Sequence, residues 1–196
     1  MGKKLVIGIS GTFASGKGTL ADSLARHFNL INVSTSDMLA EEAMREFGNT
    51  DRPSKFAVAE RLRKTKGGGV LAEMALEKFK QDSAHDGVLV SDLRSLGEAN
   101  VVKKAGGVII FVDAPLELRY QRMQSRARDI EANISQADFA EREKREWYAG
   151  PSDADFNLRG IKAMADIRLS NDSSVDVMNR DATEAVMSWQ SQAQKR

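Results

Sequence analysis

Five short apolar runs recur along a chain of 196 residues: Leu5–Ile9, Ile31–Val33, Val88–Val90, Val108–Val112 and Ile167–Leu169. Several are continuous rather than alternating, the pattern of parallel strands covered on both faces. Between them the apolar spacing predicts helices over Thr19–Phe28, Ser36–Phe47, Lys55–Lys66, Val70–Lys80, Ala99–Lys104, Pro115–Ala127 and Asp138–Trp147. A last helix is predicted over Val175–Trp189. Parallel neighbours cannot be joined by hairpins, so alternating strands and helices imply βαβ units and an α/β fold with a doubly wound, five-stranded parallel sheet in three layers.

No internal repeat or low-complexity linker divides the chain, so one domain is expected over 1–196. Its core should comprise 1–35, 87–123 and 166–196. The segment 36–86 holds about three predicted helices where a crossover usually carries one. The segment 124–165 is long, polar and rich in arginine. Both read as insertions able to close over a ligand, because mobile lids are drawn from weakly packed segments.

Charge is nearly balanced at +1, which argues against nucleic acid as a partner and leaves any anionic ligand to local positive charge. Cysteine is absent, removing disulfides, thiolate metal sites and a cysteine nucleophile. The opening "MGKKLVIGIS" has an apolar run too short for a secretory or membrane segment, and Val6 stands where a myristoylation signal needs Ser or Thr. A soluble cytoplasmic protein without a membrane partner is expected.

The first run leads into "IGISGTFASGKGTLADSL". Gly11 and Gly16 bracket four residues and Lys17 follows, so the stretch meets the first seven positions of the P-loop pattern. Glycines let the backbone curl so that successive N–H groups face phosphate oxygens. The next helix adds its positive N-terminal end, and Lys17 can reach the β- and γ-phosphates. The eighth position departs from the pattern: Gly18 stands there, and Thr19 follows. The competing reading is an ordinary strand–turn–helix connection with a solvated lysine.

The ending Gly16-Lys17-Gly18-Thr19 resembles the loop of adenylate kinase and other nucleoside monophosphate kinases. The resemblance implies an ATP site formed by Gly11, Thr12, Ala14, Ser15, Gly16, Lys17, Gly18 and Thr19, with Thr19 on the α-phosphate. It also implies Mg2+ held largely through water and carboxylates.

The second run continues as "VSTSDMLAEE". Read locally, Ser34–Ser36 is an N-cap region and Asp37 suits the first helical turn. The segment also resembles the "STGDML" signature of adenylate kinase at the mouth of the acceptor site, through Met38 and Leu39. Ala40 stands where that family has an arginine for the acceptor phosphate. Arg45, Arg61 or Arg63 could compensate, or could be solvated helix faces.

The third run ends "VLVSDLRS". Asp92 at a strand end beside the P-loop strand can organise the waters of a magnesium ion, and Arg94 can clamp a phosphate bidentately. If Arg94 matches the anchoring arginine of related kinases, Ser91 falls at their aspartate position, so the metal role lies with Asp92 or is lost. Asp92 could equally cap the following helix.

"LRYQRMQSRARD" places Arg119, Arg122, Arg126 and Arg128 close together, with Arg122 and Arg126 four apart on one helical face. The lid of adenylate kinase begins with the same spacing, implying that these two close on the transferring phosphoryl group. Arg142 and Arg145 in "FAEREKREW" read more readily as part of an ion-paired helix; Asp129, Glu131 and Glu146 are among the acids that cancel the insertion's charge. Trp147 and Tyr148 read as anchors to the core. By the same resemblance, Asn171 and Asp172 fall where this fold wraps the adenine. His27 and His85 show no partnered spacing.

The order of these motifs is most similar to nucleoside-monophosphate-kinase-like proteins labelled dephospho-CoA kinase-like. The expected function is an ATP- and Mg2+-dependent kinase passing the γ-phosphoryl group to a nucleotide or nucleotide-like acceptor. Lys17, Arg94, Arg122, Arg126 and Asp37 would be catalytic, and Asp37 and Asp92 would order the metal's water. A hydroxyl acceptor such as dephospho-CoA is the alternative, with Asp37 as the base. A nucleotide-dependent switch or RNA-associated ATPase is a third reading. A monomer or homodimer is expected.

Overall fold

The computed structural model describes residues 4–125 and 134–193. Its strands are β1 (Leu5–Gly11), β2 (Leu30–Ser34), β3 (Gly87–Leu93), β4 (Val108–Asp113) and β5 (Ile167–Ser170). Every pairing is parallel, in the order β2-β3-β1-β4-β5. The helices are α1 (Lys17–His27), α2 (Thr35–Phe47), α3 (Arg52–Lys66), α4 (Val70–Lys80), α5 (Leu96–Lys104), α6 (Leu116–Ser125), α7 (Gln136–Trp147), α8 (Leu158–Met164) and α9 (Val175–Ala193). This is the three-layer α/β P-loop kinase fold with a five-stranded parallel sheet.

Period-two alternation sends β1 side chains to two separate cores. Ile7 and Ile9 join Leu20, Leu24, Ile110, Met178 and Val186 beneath α1 and α9. Val6 joins Val88, Val90, Phe111, Phe79, Val102, Leu158 and Ile161 beneath α4, α5 and α8. Each fully buried Leu or Ile contributes about 1.5–3 kcal/mol, so both faces of the sheet must stay covered. A third cluster, with Ala43, Val58, Leu62 and Leu71, binds α2 and α3 to α4.

Three helices do lie between β2 and β3, and α4 among them packs Ala72, Ala75 and Phe79 into the sheet's core. Helix α8 is not predicted by the sequence pattern. It has seven residues with Gly160 inside it, so its local signal is weak, and burial of Leu158 and Ile161 holds it in place. Helix α5 starts at Leu96, three residues before the predicted start, because Ser95 and Glu98 form a complete capping box.

β1 ends in the P-loop, β2 in Ser34, β3 in Asp92 and Leu93, β4 in Asp113, and β5 just before Asn171. In a parallel sheet these carboxyl ends share one edge, where open α/β sheets bind ligands. Between Gly8 and Ser10 the register against β3 slips: β1 advances two residues while β3 advances from Val90 to Leu93. Asp92 lies in that bulge with φ of 65°, a left-handed conformation that Asp tolerates better than most residues.

Candidate active site

The loop between β1 and α1 is built mainly from backbone. Gly11 has φ of 148°, and a Cβ there would lie 2.0 Å from the Val112 carbonyl oxygen. Gly16 has φ of 94°, and a Cβ there would lie 2.3 Å from Asn171 Nδ2. A side chain at Gly18, by contrast, would meet nothing within 4 Å, so the departure from the P-loop pattern leaves an open face at the start of α1. Ala14 also takes a positive φ, 59°, as the curled loop requires.

Side chains tie this loop down from three directions. Thr12 Oγ1 donates to Asp113 Oδ1 at 2.9 Å, and Asp113 Oδ2 accepts from Lys162 Nζ at 2.8 Å. Burial works to raise the Asp113 carboxyl, but these two donors outweigh it and hold the group below its ordinary value. Asn171, 2% exposed, donates from Nδ2 to the Ser15 carbonyl at 2.8 Å and accepts at Oδ1 from Arg122 Nη2 at 3.4 Å. Buried Arg119 donates to the Ala114 and Phe13 carbonyls and pairs with Glu143 at 2.7 Å. Lys17 turns back over the loop to donate to the Thr12 carbonyl at 2.8 Å.

Two buried polar atoms here, Ser15 Oγ and Arg122 Nη1, find no hydrogen-bond partner among the described residues. Such atoms are costly to bury unsatisfied. Gly16, Lys17, Gly18 and Thr19 all face the adjoining cleft. Thr19 is exposed there.

That cleft has a volume of about 610 Å³, within the usual range for small-molecule sites. One wall is the loop and α1. The floor carries Asn32, Ser34, Asp37, Ser91 and Asp92, and the far wall carries Arg52, Phe56, Arg63, Arg94, Glu146 and Phe156. Ser34 caps α2 by accepting from the Asp37 amide at 3.1 Å, leaving the Asp37 side chain exposed in the first turn. Ser91 donates to Asn32 Oδ1 at 3.2 Å, and Asn32 donates to Asp22 at 3.1 Å. Asp92 Oδ1 stands 4.0 Å from Arg94.

Arg94 is mostly buried and donates from Nη1 to Glu146 Oε2 at 2.7 Å. The other Glu146 oxygen accepts from Arg52. Burial works against charge on Glu146, and Arg94, Arg52 and Lys17, in that order, outweigh it and hold the carboxyl below its ordinary range. Arg94 likewise keeps its charge against burial because Glu146, Asp92 and Glu98 face it. A second buried pair supports this wall. Arg63 Nη2 meets Glu98 Oε1 at 2.7 Å, while Glu98 Oε2 accepts from the Arg94 amide at 2.7 Å.

The structure therefore brings Lys17, Gly18, Thr19, Asp37, Asp92 and Arg94 to one cleft. Thr12 and Asn171 brace the loop through their side chains, and Arg122 lies against Asn171 rather than along the cleft. Arg126 and Arg128, like Asp129 and Glu131, fall outside the described residues. Of the three arginines able to compensate for Ala40, only Arg63 lines the cleft. Arg45 and Arg61 pair with Glu42 and Glu46 on the surface of α2 and α3. Trp147 packs edge-on against Phe111 with centroids 6.5 Å apart, whereas Tyr148 is exposed beneath Arg159.

Glu146 and Arg52 are the charged far-wall residues of the cleft that sequence reasoning missed, as it missed Asn32, Phe56 and Phe156. Glu146 sits in the charged run "EREKREW", where an ion-paired surface helix is the simpler interpretation. A signal was present, because Phe139, Glu146 and Trp147 share the seven- and eight-residue spacing of one buried helical face. Arg52 opens α3 beside its N-cap Asp51 and carries no signature of its own.

A family described as AAA domain matches residues 8–137. Among curated relatives, the UPF0200/UPF0201 protein of Archaeoglobus fulgidus is 31% identical over 175 residues, covering 87% of this chain and 51% of the relative. This chain thus spans about half the length of that protein. The UPF0200 protein of Hyperthermus butylicus is 31% identical over 180 residues, 91% of each chain. Among solved structures, TT1252 from Thermus thermophilus aligns with a TM-score of 0.62 at 22% identity, covering 95% of this chain and 98% of that one. Shikimate kinase from Aquifex aeolicus aligns with a TM-score of 0.53 at 18% identity, covering 93% and 96%. A gluconokinase from Sinorhizobium meliloti aligns with a TM-score of 0.57 at 12% identity, covering 96% and 95%. At these identities the structural likeness shows the fold.

Proposed function

The chain belongs to the AAA domain family and to the UPF0200 proteins, and from that premise we propose that it is an ATP-dependent phosphotransferase acting on a nucleoside monophosphate-like acceptor. The observation carrying this reading is that Lys17 on the loop and Arg94 on the opposite wall line the same cleft of about 610 Å³. One holds donor phosphates, and the other grips an anionic acceptor across from it.

The loop amides, Gly18 and Thr19 would cradle the donor, with Ser15 Oγ and Arg122 Nη1 satisfied by it. Mg2+ keeps most of its waters and needs only one or two carboxylates. Asp37 and Asp92 fit that requirement, and Asp92 is favoured over Ser91 because it brings a carboxylate to the cleft while the Ser91 hydroxyl is bonded to Asn32. The metal would neutralise charge on the phosphates. Arg122 contributes positive charge from the donor side, and an ionised phosphate acceptor needs no general base. A soluble, cytoplasmic enzyme suits this chemistry, and no helix among the described residues is long and apolar enough to cross a membrane.

The test is release of ADP from ATP with Mg2+, against a panel of ribo- and deoxynucleoside monophosphates and dephospho-CoA. A nucleoside monophosphate that raises turnover above background supports the reading, and a panel that is silent while ATP binds refutes it. A hydroxyl acceptor is the second reading, favoured by the exposed Asp37 carboxylate in the cleft. Asp37→Asn separates the two: hydroxyl transfer would collapse, whereas phosphate-to-phosphate transfer would weaken only modestly.

A further inference from the structure

We propose that Arg52 and Arg94 together form a phosphate-monoester subsite, and that the Glu146 carboxylate is its built-in, exchangeable ligand. Three separate parts of the chain meet at this point. Arg52 comes from the first turn of α3, Arg94 from the end of β3, and Glu146 from the last turn of α7. Each carboxylate oxygen of Glu146 takes one arginine, Oε1 from Arg52 and Oε2 from Arg94. A phosphate presents oxygens to a pair of guanidinium groups in the same manner, with more charge.

Charge decides the relation between the two ligands. Glu146 is mostly buried and ionised, and it draws on Lys17 as well as on both arginines. A dianionic phosphate entering the same wall would face that fixed negative charge at short range in a medium that screens poorly. The two anions therefore compete for Arg52 and Arg94. Surrounding contacts suggest how the carboxylate yields. Trp147, next in sequence, is held edge-on against Phe111 and lies 5.5 Å from Lys162 Nζ. The end of α7 stays anchored, and the exchange is a swing of the Glu146 side chain alone. Until an acceptor arrives, the carboxylate keeps two mutually repelling guanidinium groups together in a binding geometry.

Naming the phosphate as that of the acceptor rests on the phosphotransferase reading above; the competition itself does not. The experiment is calorimetric titration of inorganic phosphate into the wild-type chain, Glu146→Gln and the Glu146→Gln/Arg94→Ala double variant. Removing the competitor should tighten phosphate binding by at least about fivefold, the lower end of a site-to-site coupling. That gain should vanish in the double variant, which separates this subsite from the loop around Lys17. Equal or weaker binding by Glu146→Gln overturns the proposal, as does a gain that survives loss of Arg94. Should Glu146→Gln fail to fold, Trp189→Phe leaves Trp147 as the chain's remaining indole. Its emission should stay unaltered as phosphate saturates, since the end of α7 remains anchored, and phosphate affinity should still fall on Arg52→Ala in that chain; a large spectral shift, or an affinity indifferent to Arg52, overturns the exchange. A chain that passes these tests yet phosphorylates nothing in the acceptor panel refutes the phosphotransferase reading alone. Active transfer with unchanged phosphate affinity in Glu146→Gln refutes the exchange alone.

Discussion

The two walls of the cleft are made differently. The loop wall runs from Gly11 to Thr19 and is shaped by backbone: two glycines at positive φ where a Cβ would clash, and carbonyls bonded by Asn171, Arg119 and Lys17. The opposite wall depends on long side chains from α3, β3 and α7, held by ion pairs among Arg52, Arg63, Arg94, Glu98 and Glu146. A backbone cradle is nearly independent of the ligand's identity beyond its phosphates. A wall of charged side chains can change its occupant, and acceptor choice would reside there.

This contrast can be tested, beginning with the largest effect. Lys17→Ala should lower phosphotransfer by about 10²–10³-fold, the usual loss when a preorganised charged donor is removed. Turnover within a few-fold of wild type would remove Lys17 from the chemistry. Arg94→Lys keeps the charge but loses the fork, so acceptor KM should rise by about thirtyfold, or about 2 kcal/mol. The KM for ATP should change much less, since Arg94 bonds no part of the loop and the two meet only through Glu146; a parallel rise in both would dissolve the distinction.

Stability should divide along the loop itself. Gly16→Ala forces a Cβ to within 2.3 Å of Asn171 Nδ2 at φ of 94° and should cost at least about 2 kcal/mol in denaturant unfolding. Gly18→Ala meets open space and should stay within about 0.5 kcal/mol of wild type. Equal losses at both positions would mean that the loop is not shaped by these contacts.

The far wall also has an acid limb. The folded carboxyl of Glu146 lies below its ordinary value of 4.5, so its stabilisation is present above that pH and is lost as pH falls through the folded value. The stability difference between wild type and Glu146→Gln should therefore shrink below about pH 4.5. A difference independent of pH would show that the ion pairs do not couple to folding. This is the smallest of the effects, because burial offsets much of what the arginines supply.

β1, β3 and β4 were readable because burial on both faces leaves nearly unbroken apolar runs, the edge strands β2 and β5 show shorter alternating ones, and each observed strand contains its predicted run. Helix α8 was not, since it is only seven residues long with Gly160 inside it and depends on Leu158 and Ile161 reaching the core. The loop was readable because its glycines, Lys17 and the following helix act over consecutive residues. The bulge that holds Asp92 was not readable, because it depends on the neighbouring strand rather than on the residue.

What can be read from the chain alone is whatever acts locally: apolar runs, caps, and a phosphate-type loop whose geometry is set by adjacent φ angles. Ion pairs between residues 35, 52 and 94 positions apart obey no such local rule. Arg63 resembled Arg45 and Arg61 on paper, and only folding buried it against Glu98 while leaving the other two at the surface. Glu146 resembled its charged neighbours until α7 turned one of its faces toward the sheet. Burial then gave that carboxylate its place beside Arg52 and Arg94, because a charge withdrawn from water is held only where opposite charges meet it.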